Sequence, residues 1–469
     1  MKTLLYNLVS DKLSKAFIEK FLSENNFIRK IIVIRINGLE ICLPSKDIEL
    51  VYIDYEKILL GDCESYQPTS TIDLLEVNYK VLFLSLKMMD RLGLYRNDSS
   101  NKRFNDLFSH FSYLTYIVEY FKIDIAIFQN LPHEIYDYIL YHILKFNNKK
   151  TFYFLQNQYE QFYEINESIE DAYSLKNYKI NPSIIKPDVS SEVKALYNNM
   201  RDENYDPFYM SIVKNKFLDR IMVKLDFLKR EKPNIFYLLI TKLIIKLKQI
   251  KTSSFLNKIL VKADLNKKYI FIPLHFQPEM TTSPRGGIFV FQELMIEMIS
   301  KYAPKDLTIY IKEHPAQNLT YGRSIDFYRK ITSYPNTFIV DESVNSFKLM
   351  KNAQVLAIVT GTLGFKAICN QKPVFVFGEV FYKYAPGVFA IKTGDDLKKA
   401  FIKLKHIKIS QSITLNYLEA IKGNFYKGYS DNQYGKISDL NFNSNIESLV
   451  ENISDRIGVI HDSSLKLDD

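Results

Sequence analysis

Apolar residues in the first third of this chain fall into short runs separated by polar stretches. Ile31–Ile36 is a β-branched run that stops at Asn37-Gly38. Val81–Leu86, Ile123–Phe128 and Phe152–Leu155 are read as further strands. Between the last two lies Glu134–Lys145, where Ile135, Tyr138, Ile139, Tyr141, His142 and Leu144 recur at roughly helical spacing. Strands alternating with helices predict a parallel, doubly wound sheet. From Gln158 to about Pro207 the pattern dissolves into Asn, Ser, Glu and Pro. From Phe208 to Lys268 it turns helical. A second alternating set follows, with strands at Tyr269–Pro273, Leu307–Ile311, Thr337–Val340, Val355–Val359, Val374–Phe377 and Val388–Ile391. Helices fit between them at Phe291–Tyr302, Ile325–Thr332, Ser346–Asn352 and Gly364–Asn370.

The pattern predicts four regions. Residues 1–180 form a Rossmann-like acceptor domain, and 181–262 a loop-rich and basic helical connector. Residues 263–408 form a Rossmann-like nucleotide-donor domain, and 409–469 a helical tail, polar and partly frayed from Asn441 onward. Two Rossmann-like domains joined by a basic helical connector describe an α/β, GT-B-like fold. A chain of 469 residues is too long for one ordinary core, which agrees with that division.

Charge singles out the connector. The stretch 208–268 holds 15 Lys/Arg against 4 Asp/Glu, whereas the whole chain carries only +9. No recognition motif accompanies the basic stretch, so nucleic acid is not expected as a partner. Its alternatives are an amphipathic segment on the anionic inner face of a membrane and a charged helical face that packs its apolar side on the protein. The apolar run Ile235–Ile245 is broken by Thr241 and Lys242 and falls short of the roughly 20 residues a membrane span needs. Met1–Ser10 lacks the apolar core and cleavage site of a signal peptide. The three cysteines, Cys42, Cys63 and Cys369, form neither a metal pattern nor a disulfide framework. These features predict a cytoplasmic protein, soluble or peripheral at the membrane.

Chemistry is concentrated at predicted strand ends of the second set, where open α/β sheets bind ligands. Lys312-Glu313-His314-Pro315 follows one strand. Its proline delays the next helix and leaves His314 at the sheet mouth, able to donate to a phosphate oxygen or protonate a leaving group. Thr360-Gly361-Thr362-Leu363-Gly364 opens a helix whose N-terminal N–H groups and hydroxyls suit an anion, though Thr362 also suits a plain N-cap. Asp341 and Glu342 close another strand and fit ribose hydroxyls or a solvated turn. Pro273–Glu279 offers His275, Gln277 and Glu279 to the cleft, followed by a loop, Arg285-Gly286-Gly287, expected to be flexible and cationic. In the first domain Phe128–Glu134 places Asn130, His133 and Glu134 where an acceptor fits; Glu134 equally complements a helix dipole.

These motifs, Pro-Leu-His-Phe-Gln-Pro-Glu, Lys-Glu-His-Pro, Gly-Thr-Leu-Gly, Lys372-Pro373-Val374 and Gly378-Glu379-Val380-Phe381-Tyr382, resemble bacterial capsule and surface-polysaccharide biosynthesis proteins related to capsule Kdo transferases. The His-Pro element is similar to that of bacterial sialyltransferases using CMP-activated sugars. The resemblance covers about 260–390, with the Pro-His-Glu element at 132–134 fitting too. It implies a metal-independent glycosyltransferase passing a CMP-linked acidic sugar, such as Kdo or a sialic-acid-like sugar, to a glycan or lipid-linked acceptor, without a cofactor. His314 then contacts or protonates the donor phosphate, Thr360 and Thr362 hold it with Gly361 and Gly364, Glu342 or Asp341 holds the ribose, and His275 and Lys312 line the donor site. Glu134, then Glu279, is the expected base, with His133 and Asn130 toward the acceptor. One position departs from the pattern: such proteins usually carry glutamate two residues after the second glycine, and here it is Lys366. The rival readings are a CDP-alcohol phosphotransferase, a nucleotide-sugar epimerase and a non-catalytic assembly scaffold.

Overall fold

The computed structural model describes residues 2–60, 79–90, 99–157, 159, 161–174, 188–208, 235–277, 279–315, 317 and 323–464. The chain divides into two compact units, Met1–Lys179 with Lys422–Asp469, and Ile180–Ile421. Each carries a seven-stranded sheet. Both units are α/β, each built on a mainly parallel sheet, as the alternating pattern predicts.

The sheet of the first unit contains β1 (Lys2–Val9), β2 (Ile28–Arg35), β3 (Glu49–Asp54), β4 (Ile125–Phe128), β5 (Lys150–Gln156) and β6 (Phe162–Asn166). Its order is β6-β5-β4-β1-β2-β3, and β1 to β5 run parallel. β6 turns antiparallel, and the short strand Tyr426–Lys427 pairs outside it. The order reverses between β1 and β4, so the topological switch point of this sheet lies at their carboxyl ends. β1 holds the middle of the sheet, with Leu4, Leu5, Tyr6 and Val9 fully buried, although the sequence pattern had not marked it.

Two expectations change here. Val81–Leu86 is not a strand but part of the helix Tyr79–Met89. Val81 is its one β-branched residue, and Val81, Leu84, Ser85 and Met88 are buried at helical spacing. Residues 442–464, expected to be partly frayed, form a helix, and residues 465–469 lie outside the described residues. The helix Phe442–Ser464 buries Ile446, Leu449, Val450, Ile453 and Ile457, one face at helical spacing. It packs on the helix Lys12–Glu24, with Lys12 Nζ 4.7 Å from the Phe442 ring centroid and Asn25 Nδ2 donating to Ser454 Oγ at 3.0 Å.

The second unit holds β7 (Leu260–Val261), β8 (Tyr269–Pro273), β9 (Thr308–Lys312), β10 (Thr337–Val340), β11 (Val355–Ile358), β12 (Val374–Val376) and β13 (Val388–Ala390). All pairs are parallel, in the order β13-β12-β11-β8-β9-β10-β7. The helices Gln292–Tyr302, Ile325–Thr332, Ser346–Asn352 and Thr362–Cys369 connect the strands, and Gly394–Leu404 follows the last of them. Ile270, Ile272, Met295, Ile299, Tyr328, Val355 and Phe375 belong to one buried cluster between sheet and helices. Strand order reverses between β8 and β11, which places this unit's topological switch point at their carboxyl ends. Of the expected basic helical stretch, Ile235–Ile259 is a helix; residues 209–234 lie outside the described residues.

Candidate functional site

Register explains why the four loop motifs meet. Pro273 of β8 pairs with Lys312 of β9, Ile339 of β10 with Ile311, and Val355 of β11 with Ile270. Counting on along the parallel strands, His275, His314, Glu342 and Thr360 all stand two residues beyond the same level. Parallel pairing therefore turns motifs spread over the sequence into one row along the sheet's carboxyl edge.

At the switch point His275 acts as a clasp. Its backbone N donates to Gln292 Oε1 at 2.8 Å, and Gln292 Nε2 returns a bond to the His275 carbonyl at 3.2 Å. The ring Nε2 accepts from Thr360 N at 3.1 Å and also touches the Thr360 carbonyl. Burial pushes the imidazole down to about 4, so it is neutral at physiological pH. The imidazole thus binds the end of β8 to the end of β11, a different duty from the donor contact expected of it.

Thr360 is 2% exposed, and its hydroxyl donates to the Thr281 carbonyl at 2.7 Å. It secures the loop 279–287 rather than facing a ligand. That loop, expected to be flexible, is held by hydrogen bonds at Thr281 and Arg285. Arg285 Nε donates to the Glu379 carbonyl at 3.1 Å, and Glu379 N returns a bond to the Arg285 carbonyl at 2.9 Å. A Cβ on Gly286 would stand 2.6 Å from the Thr282 carbonyl oxygen, and one on Gly378 would stand 2.7 Å from Thr360 Cγ2. Both glycines are needed for this close packing.

Gly361 has φ +105°, a left-handed conformation that favours glycine, and it caps the helix Thr362–Cys369 without a side-chain bond. The amino terminus of that helix carries a partial positive charge. Gly364 does different work from that expected. A Cβ there would lie 2.3 Å from Ile358 Cδ1 and 2.4 Å from the Tyr382 hydroxyl, so what approaches closely is the protein and not a ligand. The Tyr382 hydroxyl in turn donates to the Gly361 carbonyl.

Beside the clasp lies a buried ionic network that sequence reading missed. Glu313 and Arg323 have side chains 3% and 6% exposed. Arg323 Nε donates to Glu313 Oε2 at 2.8 Å, NH1 to Gln277 Oε1 at 2.8 Å, and NH2 to the His275 carbonyl at 2.6 Å. Tyr328 donates its hydroxyl to Glu313 Oε2 at 2.7 Å, and Glu313 Oε1 accepts from His314 N at 2.7 Å. One guanidinium therefore fixes the loops after β8 and β9 together. His314 is half-buried with its ring 5.7 Å from that of Phe276. Burial lowers its pKa; Glu313 pulls the other way and Arg323 adds to the lowering.

Lys312 is buried and donates Nζ to the Val344 carbonyl, which anchors the loop after β10. Asp341 accepts from Ser343 N at 2.7 Å, a local turn, while Glu342 is exposed. Glu279 accepts from Thr281 Oγ1 at 2.8 Å within its own loop. Lys366 donates to the carbonyls of Tyr205 at 2.7 Å and Asp202 at 3.4 Å. It ties the segment after the helix Ser191–Arg201 to the helix Thr362–Cys369. In the first unit Asn130, His133 and Glu134 follow β4, beside that sheet's own switch point. His133 Nδ1 is 2.6 Å from the Leu131 carbonyl oxygen, and its Nε2 is 3.8 Å from Glu134 Oε1. Glu134 occupies the N-cap of the helix Ile135–Phe146 without making a side-chain cap bond.

Residues 227–426 match the family model described as capsule polysaccharide biosynthesis protein. No curated protein matches the chain. Among solved structures, a UDP-GlcNAc 2-epimerase from Neisseria meningitidis bound to UDP-GlcNAc is 14% identical, with 90% of this chain and 98% of that one covered and a TM-score of 0.24. Thermosulfurimonas dismutans KpsC, a beta Kdo 2,7 transferase, is 12% identical over 75% of this chain and 90% of that one, with a TM-score of 0.30. The beta Kdo 2,4 transferase of the same KpsC is 11% identical over 59% and 73%, with a TM-score of 0.31.

Proposed function

We propose that this chain is a glycosyltransferase of capsule or surface-polysaccharide assembly, taking a nucleotide-activated sugar, preferentially a CMP-linked acidic one. The observation that carries the reading is the row at the sheet edge, where His314 and the Gly361-capped helix terminus stand level beside the β8/β11 switch point. The family match over 227–426 supports it, because it spans that row. In this reading the bond between the donor sugar and its phosphate breaks, and a bond to an acceptor hydroxyl forms. The acceptor's proton passes to a carboxylate, and the nucleotide leaves as its phosphate.

The backbone at Thr362 and its hydroxyl hold the phosphate, and His314 donates a proton or hydrogen bond to it. That set balances the charge without a metal ion. Glu342 takes the ribose, since Asp341 is spent on its own turn. Glu134 is the first candidate for the base; Glu279 comes second because Thr281 engages it. Incubating the protein with CMP-, UDP- and GDP-sugars and acceptor glycans tests the activity. Transferred sugar supports the proposal, while transferred alcohol phosphate or a free epimer favours the rivals.

The two threonines should separate cleanly. Thr362→Val is expected to weaken nucleotide binding by about 1.5–3 kcal/mol, the worth of a hydrogen bond to a charged group. Thr360→Val should leave affinity nearly unchanged and cost about 1 kcal/mol of stability through its lost bond to Thr281. Calorimetric titration and chemical denaturation of both variants distinguish the roles. Equal nucleotide affinity in Thr362→Val and parent would reduce Thr362 to the first residue of a helix.

A further inference from the structure

We infer that the helix Ile235–Ile259 seats the protein on an anionic lipid surface, a property independent of the transferase reading. The helix has lysines at 242, 246, 248, 251 and 258 and no Asp or Glu. Its carboxyl part is bound to the second unit. Leu256 is 5% exposed within the core cluster, with Phe255 and Ile259 packed against it, and the Arg329 guanidinium lies 5.4 Å from the Phe255 ring centroid. Elsewhere on the helix Leu243, Leu247 and Ile250 are 58%, 56% and 58% exposed.

At about 100° per residue these three fall within a stripe about 60° wide, on the side opposite Leu256. The helix is therefore apolar on two faces, and among the described residues only one of them is covered by protein. Lys246 and Lys251, both exposed, flank the stripe on either side. That is the arrangement in which apolar side chains enter the acyl boundary while lysine stems lie along them and carry their charges to the headgroups.

The charge decides the occupant. A second copy meeting this face would set lysines against lysines with no acid on the helix to pair them. A nucleic-acid backbone would match the lysines but not three exposed aliphatic residues. An anionic bilayer satisfies both. Among the described residues no helix is long and apolar enough to cross a membrane, so the helix lies along the surface.

Flotation of the full-length protein with phosphatidylcholine vesicles, with and without phosphatidylglycerol, tests this. The parent should float with the anionic vesicles at low salt and be released at high salt. Lys246→Glu with Lys251→Glu should lower partitioning at least about tenfold, since each basic residue at such a surface contributes about fivefold. Leu243→Ser with Leu247→Ser and Ile250→Ser should abolish flotation while the melting temperature stays at the parent value, because these side chains are exposed. Absence of parent binding to anionic vesicles, or parent-like flotation of the triple serine variant, overturns the proposal. So does self-association of the parent in light scattering that the triple variant loses, which would make a second copy the occupant.

Discussion

Arg323→Ala is expected to cost the second unit about 3–5 kcal/mol, because it leaves the Glu313 carboxylate buried without its cation. Three separate bonds from one guanidinium end at Glu313, Gln277 and the His275 carbonyl. Lysine cannot reproduce that fork, so Arg323→Lys should recover only a fraction. Removing both charges, as Glu313→Gln with Arg323→Met, should recover more than either single change, since no unpaired charge remains. Denaturation midpoints of the three variants report the order. A loss below about 1 kcal/mol in Arg323→Ala, typical of an exposed pair, would show that water reaches the carboxylate.

His314→Ala is expected to reduce turnover by about 10²–10⁴ while preserving the fold. Burial holds the imidazole below its ordinary pKa, so in the free protein at neutral pH it is mainly neutral and donates through one N–H. A bound phosphate raises it again by stabilising the cation. If it gives up a proton during transfer, activity falls as pH rises through the raised value. If it only donates a hydrogen bond, the profile is flat there and His314→Gln restores part of the rate. Near-parent turnover of a folded His314→Ala protein would remove the residue from the mechanism.

The sheet-edge row was legible in the sequence because parallel strands are short and apolar and the motifs follow them directly. His314, Gly361 and Glu342 could be placed at strand ends that way. The partners of those residues were not legible. Glu313 is buried and must have a cation, but the neighbouring Lys312 is the nearer candidate in sequence, and alternation along the strand end sends it to Val344 instead. Arg323 stands ten residues further along the sequence, with no pattern linking it to Glu313. Thr360 and Thr362 look alike as hydroxyls, and only the close passage of the 279–287 loop sets Thr360 to structural work. Lys366, conspicuous as a departure from the resembled pattern, holds the Asp202–Tyr205 segment, so its charge serves that connection. The helix Tyr79–Met89 was misread because six of its residues are apolar or small without interruption, which hides the period.

The return of the chain's last part to the first unit has a consequence for synthesis. β6 lacks its outer neighbour, and the helix Lys12–Glu24 lacks its cover, until residues 426–464 have been made. All of Ile180–Ile421 intervenes, so at about 5–20 residues per second the wait on the ribosome is on the order of tens of seconds. During that time the second unit, continuous in sequence, can close its own sheet first. The amino-terminal unit is thus the later one to be completed, although it is the first to emerge.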